Sequence, residues 1–306
     1  HPVQHRRLPD QPQVGGADIL SNLHKRDEFS SSHQTMVRSD FECYHYLDPI
    51  PPEVDFHEHE FYEVFFFLSG NVSYNIEGRT YLLRPGDILL TDNKDIHKPE
   101  VLPGRPYERY VVWITPDFLQ AQERYGPNLT DCFKDASRKE YKRIRPDSRA
   151  VAHLKSILDK ILECRESDEF GSSTLEYIYL NEFMVFLNRA YFAAPDIIPE
   201  DITENEKVNK VVAYINENLA EDLTLDRLAE VCYISKSYLS HQFKQYTGLS
   251  IYQFIIKKRL TVARNMIQEG TPVTEACMTC GFSDYSNFHR SFKKEFGVSP
   301  KEFRIR

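Results

Sequence analysis

Residues 224–300 run through one helical pattern twice, and few folds accommodate such a repeat. In "LTLDRLAEVCYISKSYLSHQFKQYTG", Thr224 can cap a short helix carrying Leu225, Leu228 and Ala229. That helix should stop near Cys232, and Ser235 can cap the next. Leu239, Phe243 and Tyr246 then recur at four- and three-residue steps, and Gly248 closes the segment. In "PVTEACMTCGFSDYSNFHRSFKKEFGVSP", Pro272 opens a helix, Gly281 marks the turn, and Phe288, Phe292 and Phe296 form the second stripe. "SIYQFIIKKRLTVARNMIQEG", ended by Gly270, joins the two. Two short helices around a tight turn make a helix-turn-helix. This part of the chain therefore reads as an all-α domain with two such units on one connecting helix.

Charge points the same way. The 306 residues carry a net charge of −8, yet Ser235 to Arg306 holds twelve Lys and Arg against five Asp and Glu, a net +7 that leaves −15 for the rest. A basic segment on an acidic body suggests a module that faces nucleic acid. With 41% hydrophobic and 27% charged residues the chain reads as soluble and globular. No stretch approaches the roughly twenty apolar residues that cross a bilayer. "HPVQHRRLPDQPQVGG" lacks the apolar run of a secretory signal. The six cysteines are scattered, which fits reduced thiols in the cytoplasm. Cys277 and Cys280 make a C-x-x-C without the further ligands of a zinc set, so packing on one helix face is the expected role.

Ahead of the helical repeat the pattern changes. Residues 1–34 are polar and rich in Pro, Gly and Ser, and read as a loose extension. Residues 35–147 contain strand-length runs, among them "EVFFFLSG", "NVSYNIEG", "RTYLLRPG", "DILLTDN" and "YERYVVWIT". They close on Gly, Asn or Pro-Gly, as in a sandwich or small barrel. Pro85–Gly86 suits a type II turn. Residues 148–195 read as an antiparallel helix pair, with Val151, Leu154, Leu158 and Ile161 in one stripe. The second helix is apolar on most of its surface, which favours a dimer seam and a homodimer. Residues 196–205 read as a linker and residues 206–306 as the helical domain. The fold class is α+β multidomain.

Within the strand region lies "FHEHEFYEVFFFLSG". His57, His59 and Glu63 are metal-ligand types, and His97 follows in "DIHKPE". In one straight strand His59 and Glu63 would be about 13 Å apart. The chain must bend near Glu60–Tyr62 to bring them to one ion, with His97 arriving from a neighbouring strand. Three uses are open. The four can hold a divalent metal (Mn, Fe, Ni or Zn), line a metal-free pocket for a polar effector such as a carbohydrate, or serve structure alone.

Residues 205–306 resemble the DNA-binding domain of the AraC/XylS family of transcription regulators. The resemblance rests on "KKRLTVARNMI" and "GFSDYSNFHRSFKKEFGVSPKEFR". The N-terminal half resembles a cupin-type barrel, on "HEHEFYEVFFFLSG", "LLRPGDILL" and "DIHKPE". The resemblance implies a ligand-responsive regulator of double-stranded DNA with a small-molecule effector site at His57, His59, Glu63 and His97. RNA polymerase becomes a further candidate partner. A metal-dependent cupin enzyme fused to a DNA anchor is the alternative, and turnover by the metal-loaded N-terminal half would favour it. No catalytic role is expected, because a product released beside a DNA-binding domain has no evident use. The connecting helix of about nineteen residues spans roughly 28 Å, which can set two recognition helices about one duplex turn apart. Off the core stripes lie Ser237, Ser240, His241 and Lys244 on the first, and Ser286, Asn287, His289, Arg290 and Lys293 on the second. Ser, His, Asn and Arg can read base edges, whereas Lys244 and Lys293 suit phosphates.

Overall fold

The computed structural model describes residues 35–50, 53–194 and 201–304. The expected N-terminal extension and the first half of the expected linker lie outside these residues. Among these residues nine strands form two sheets. β1 (Phe41–Asp48), β7 (Tyr107–Ile114), β2 (Tyr62–Ser69), β5 (Ile88–Thr91) and β8 (Arg143–Ile144) lie side by side in that order in the first. β6 (His97–Leu102), β3 (Asn71–Ile76), β4 (Arg79–Leu82) and β9 (Ile202–Thr203) make the second. All pairings are antiparallel.

Strand alternation divides the buried residues between two cores. Phe65 and Phe67 of β2, with Val111 and Trp113 of β7, point between the sheets and meet Val72, Tyr74 and Ile76 of β3. Val64 and Phe66, with Tyr110, Val112 and Ile114, point the other way onto helices. Because the first sheet is covered on both faces, β2 and β7 read as nearly unbroken apolar runs. At the Pro85–Gly86 turn, Asp87 N donates to Arg84 O at 2.9 Å and Gly86 has φ +95°, as a type II turn requires.

Short helices α1 (Pro116–Gln122) and α2 (Asp131–Arg138) follow β7. Helix α3 (Ser148–Glu166) starts on Asp147, whose side chain accepts from Ala150 N. Helix α4 (Ser172–Ala193) returns against it, with Arg165 of α3 bonded to Glu176 of α4 at 2.8 Å. Leu154, Leu158 and Ile161 are buried against Leu180, Phe183, Met184 and the first sheet. This stripe of the first helix is core within one chain, because the sheet and α4 supply its apolar partners. The outer face of α4 stays open, with Leu175 41% and Ile178 53% exposed. Part of the expected linker is strand: Ile202 and Thr203 pair with Tyr81 and Thr80 as β9.

The helical domain comprises α5 (Glu206–Glu217), α6 (Leu225–Val231), α7 (Lys236–Thr247), α8 (Ile251–Gln268), α9 (Val273–Thr279), α10 (Tyr285–Phe296) and α11 (Pro300–Phe303). Thr224 caps α6 and Ser235 caps α7 by accepting from Arg227 N and Tyr238 N. A Ser250–Gln253 capping box opens α8. Asp284 rather than a serine caps α10. The repeat extends to the turns: Ile234 N donates to Ala229 O, and Phe282 N to Cys277 O. Phe243 lies in the first unit's core, and Phe288 and Phe292 in the second's. Cys277 and Cys280 are buried in that second core, as packing residues.

Candidate functional site

His57 and His59 lie just before β2, in a segment that bends at Glu60 and Phe61 before the strand begins. His57 and His97 form a two-way backbone bridge, at 3.0 and 2.9 Å, which sets the loop beside the start of β6. Glu63 faces inward from β2. The four side chains meet. The His57 and His97 ring centres are 4.2 Å apart, and those of His59 and His97 4.8 Å. His59 Nε2 is 3.6 Å from Glu63 Oε2, and His97 Nε2 is 3.9 Å from Glu63 Oε1.

Each ring is oriented by a carbonyl. The Nδ1 atoms of His57, His59 and His97 lie 2.8, 2.8 and 2.9 Å from the oxygens of Asp55, Phe61 and Asp95. A carbonyl only accepts, so Nδ1 carries the hydrogen in each ring, and the Nε2 lone pairs of His59 and His97 face Glu63. His59 Nε2 and His97 Nε2 are buried and make no hydrogen bond. Burial, reinforced by neighbouring His59, pushes His57 down to about 4. Burial likewise lowers His97. Burial opposes charge on Glu63, but contact with His59 and the other imidazoles holds its carboxyl well below the usual range. Trp113 Nε1 donates to it at 2.6 Å and Tyr74 Oη at 3.2 Å.

This arrangement fits a divalent cation. Ligands about 2.0–2.2 Å from one ion stand roughly 3–4 Å from each other, as His59 Nε2 and His97 Nε2 do from Glu63; the three ligand atoms lie within 4.8 Å of one another, and His57, expected as a fourth, stands outside the set. The outward Nδ1–H bonds are the usual support for metal-ligating imidazoles. The lone pairs would otherwise be desolvated acceptors without partners, which is costly.

Glu58, between the two histidines, points the opposite way, and sequence reasoning missed its role. Thr261 Oγ1 of α8 donates to Glu58 Oε2 at 2.8 Å, and Arg264 Nη1 to Oε1 at 3.3 Å. Arg264 Nη2 also donates to His59 O at 3.3 Å. The Arg264 side chain has no exposed surface and that of Glu58 only 1%. Nearby, Lys258 donates to Glu77, and Phe56 lies across Gly248. Gly248 has φ +72°, and a Cβ there would overlap the Phe56 ring. The loop that carries the histidines is therefore also the seat of the helix joining the two helix-turn-helix units.

The residues expected to meet DNA occupy α7 and α10. Ser237, Ser240, His241 and Lys244 are exposed on α7; Ser286, Arg290 and Lys293 are exposed on α10, with Asn287 and His289 half-buried. All nine lie off the buried faces of their helices.

Residues 42–177 match the AraC-like ligand binding domain, and residues 228–306 match the helix-turn-helix domain. The HTH-type transcriptional activator RhaS of Enterobacter sp. (strain 638) is 25% identical over 290 residues, spanning 93% of this chain and 97% of that protein. RhaS of Salmonella schwarzengrund (strain CVM19633) is 24% identical over 292 residues, with the same coverage. Among solved structures, the C-terminal domain of AraT, a response regulator from Geobacillus stearothermophilus, is 31% identical, covers 33% of this chain and 85% of that one, and has a TM-score of 0.32. ToxT from Vibrio cholerae is 13% identical, covers 87% and 98%, and has a TM-score of 0.34. With its two domain matches in this order and its relatives aligned over nearly their whole length, the chain belongs to the AraC/XylS family of transcription regulators.

Proposed function

We propose that this protein binds specific double-stranded DNA through α7 and α10 and regulates transcription in response to a small polar effector, a sugar being the leading class. One observation carries the reading: two exposed recognition helices of matching construction hang from α8, in the segment of net charge +7. Arg290→Ala should weaken specific binding by about 1–3 kcal/mol if the guanidinium grips a guanine edge. Lys293→Ala should weaken specific and random duplex alike, with a shallower salt dependence. Fluorescence anisotropy at two salt concentrations separates the two. Wild-type affinity in both variants would contradict this placement of α10.

The protein acts in the cytoplasm as a homodimer, through the open face of α4 around Leu175 and Ile178, and RNA polymerase is its partner at the promoter. It acts by binding rather than by turnover, as fits the transcriptional activators it aligns with over nearly their whole length. His59, Glu63 and His97 would hold one divalent cation (Mn, Fe, Ni or Zn), with the His57 ring packed against His97 outside that set. Once bound, it supplies positive charge beside Glu63 and ties the Phe56–Glu60 loop to β6. Elemental analysis of purified protein should find about one equivalent per chain, lost in His59→Ala. A metal-free wild type with unchanged stability after chelation would leave the cluster a structural role alone.

A further inference from the structure

Both loops that carry a histidine of the metal set also carry contacts to the helical domain. In the Phe56–Glu60 loop neighbouring side chains face opposite ways. His59 meets Glu63 and His97, while Glu58 meets Thr261 and Arg264 of α8. His59 also serves both sides by itself, since its carbonyl oxygen accepts from Arg264 Nη2 at 3.3 Å. The other loop leads into β6. There His97 follows Ile96, which is 2% exposed and packs into the core of the first helix-turn-helix unit. Lys94 O accepts from Lys258 Nζ of α8 at 2.7 Å.

Neither loop belongs to a sheet where it meets α8: residues 92–96 form a turn, and the other loop bends at Glu60. The backbone bridge between His57 and His97 ties the two together once. A cation shared by His59 and His97 would tie them a second time, with Glu63 of β2 as the fixed point. The path continues beyond the loops. Arg264 Cζ lies 5.2 Å from the centre of the Phe296 ring, at the end of the second recognition helix. One turn and more back along α8, Lys257 pairs with Glu295 of that same helix.

We propose that the cation site is a latch between the domains: an ion on His59, Glu63 and His97 holds both loops where they dock α8, and loss of the ion releases the helical domain. The inference rests on the metal reading of this cluster above and adds what the ion controls. Ordering a loop costs backbone entropy. The ion orders these loops from the β-domain side, and α8 orders them from the other through Glu58, His59 O and Lys94 O. Whichever binds first leaves less ordering for the second, so the ion has a higher affinity for the docked chain and shifts the balance toward it. Coupling of this kind is reciprocal: docking must tighten the ion by the same factor. Arg264 gives that statement a sign. It bonds Glu58 and the His59 backbone rather than a metal-ligating atom. By Coulomb's law alone, removing its positive charge would tighten a nearby cation. Loss of docking loosens it.

The test strips the full chain with EDTA and titrates it with Zn(II), Mn(II), Ni(II) and, under argon, Fe(II), against a competing indicator. The wild type should take up about one equivalent of at least one of them. Arg264→Met should bind that ion about tenfold more weakly. In calorimetry the helical domain should melt apart from the β domain in stripped wild type, and together with it once the ion is restored. Glu58→Met combined with Arg264→Met leaves the local net charge unchanged and repacks the contact with apolar groups. It should return ion affinity to the wild-type range, and it decides the matter if Arg264→Met alone does not fold. Equal or tighter binding by Arg264→Met, a double variant with weakened binding, or a single unchanged transition after stripping would each overturn the latch and leave the metal site standing. No uptake of any of the four ions by the wild type would remove the metal site and the latch together.

Discussion

Glu58→Ala should undock the helical domain from the β domain. Arg264 is fully buried only while α8 sits on the Phe56–Glu60 loop, and Glu58 is the carboxylate it meets there at 3.3 Å. Removing one member of a buried ion pair costs about 3–5 kcal/mol, because the other charge is left desolvated. Glu60, 3.4 Å from Arg264 Nε, is half-buried and can take over part of the role, which places the effect toward the lower end. The chain avoids the rest of the penalty by separating, since an undocked Arg264 returns to water. Calorimetry should therefore show the wild-type transition split in two, with the β domain melting last. Glu58→Met combined with Arg264→Met should recover most of the lost stability, since apolar replacement of a buried pair is often neutral or better. If Glu58→Ala melts like the wild type, the contact does not hold the domains together.

The second large effect separates core from surface on the helix pair. Leu158 is fully buried between α3, α4 and the first sheet. Leu158→Glu places a carboxylate there without a partner and should destabilise the β domain by more than about 4 kcal/mol. Circular dichroism should then show an unfolded or molten domain. Ile178→Glu, on the open face of α4, should leave the fold intact and shift sedimentation from dimer toward monomer. A folded, monomeric Leu158→Glu protein would place Leu158 at the subunit contact after all.

Much of this architecture could be read before the coordinates. β2, β3, β4, β5 and β7 stood out because aromatic and β-branched residues alternate or cluster between turn residues. β6 did not, because "HKPEVL" carries Pro99 and two charges and looks like a loop. β8 and β9 have two residues each, too few for any period to show. Leu154, Leu158 and Ile161 were legible as a buried stripe, but a stripe does not name its partner, and here the partners are α4 and the first sheet. His57, His59, Glu63 and His97 were legible as a spacing. Their supports were not, since Tyr74 and Trp113 come from distant strands. Glu58 could have been found: in an extended H-x-H the middle side chain faces away from both histidines, so a glutamate there needs a partner. The Arg264 that answers it lies some two hundred residues on, in a helix whose pattern gives no sign of a buried guanidinium.

The central claim is that two recognition helices on one connecting helix read DNA in adjacent turns of the major groove. Selection of the full chain against a random duplex library tests it most directly. The enriched sequences should hold two conserved blocks with centres about 10–10.5 base pairs apart. His241→Ala should blur the block read by α7, and Arg290→Ala the one read by α10. A library left unenriched, or a motif that survives both substitutions unchanged, would contradict the account.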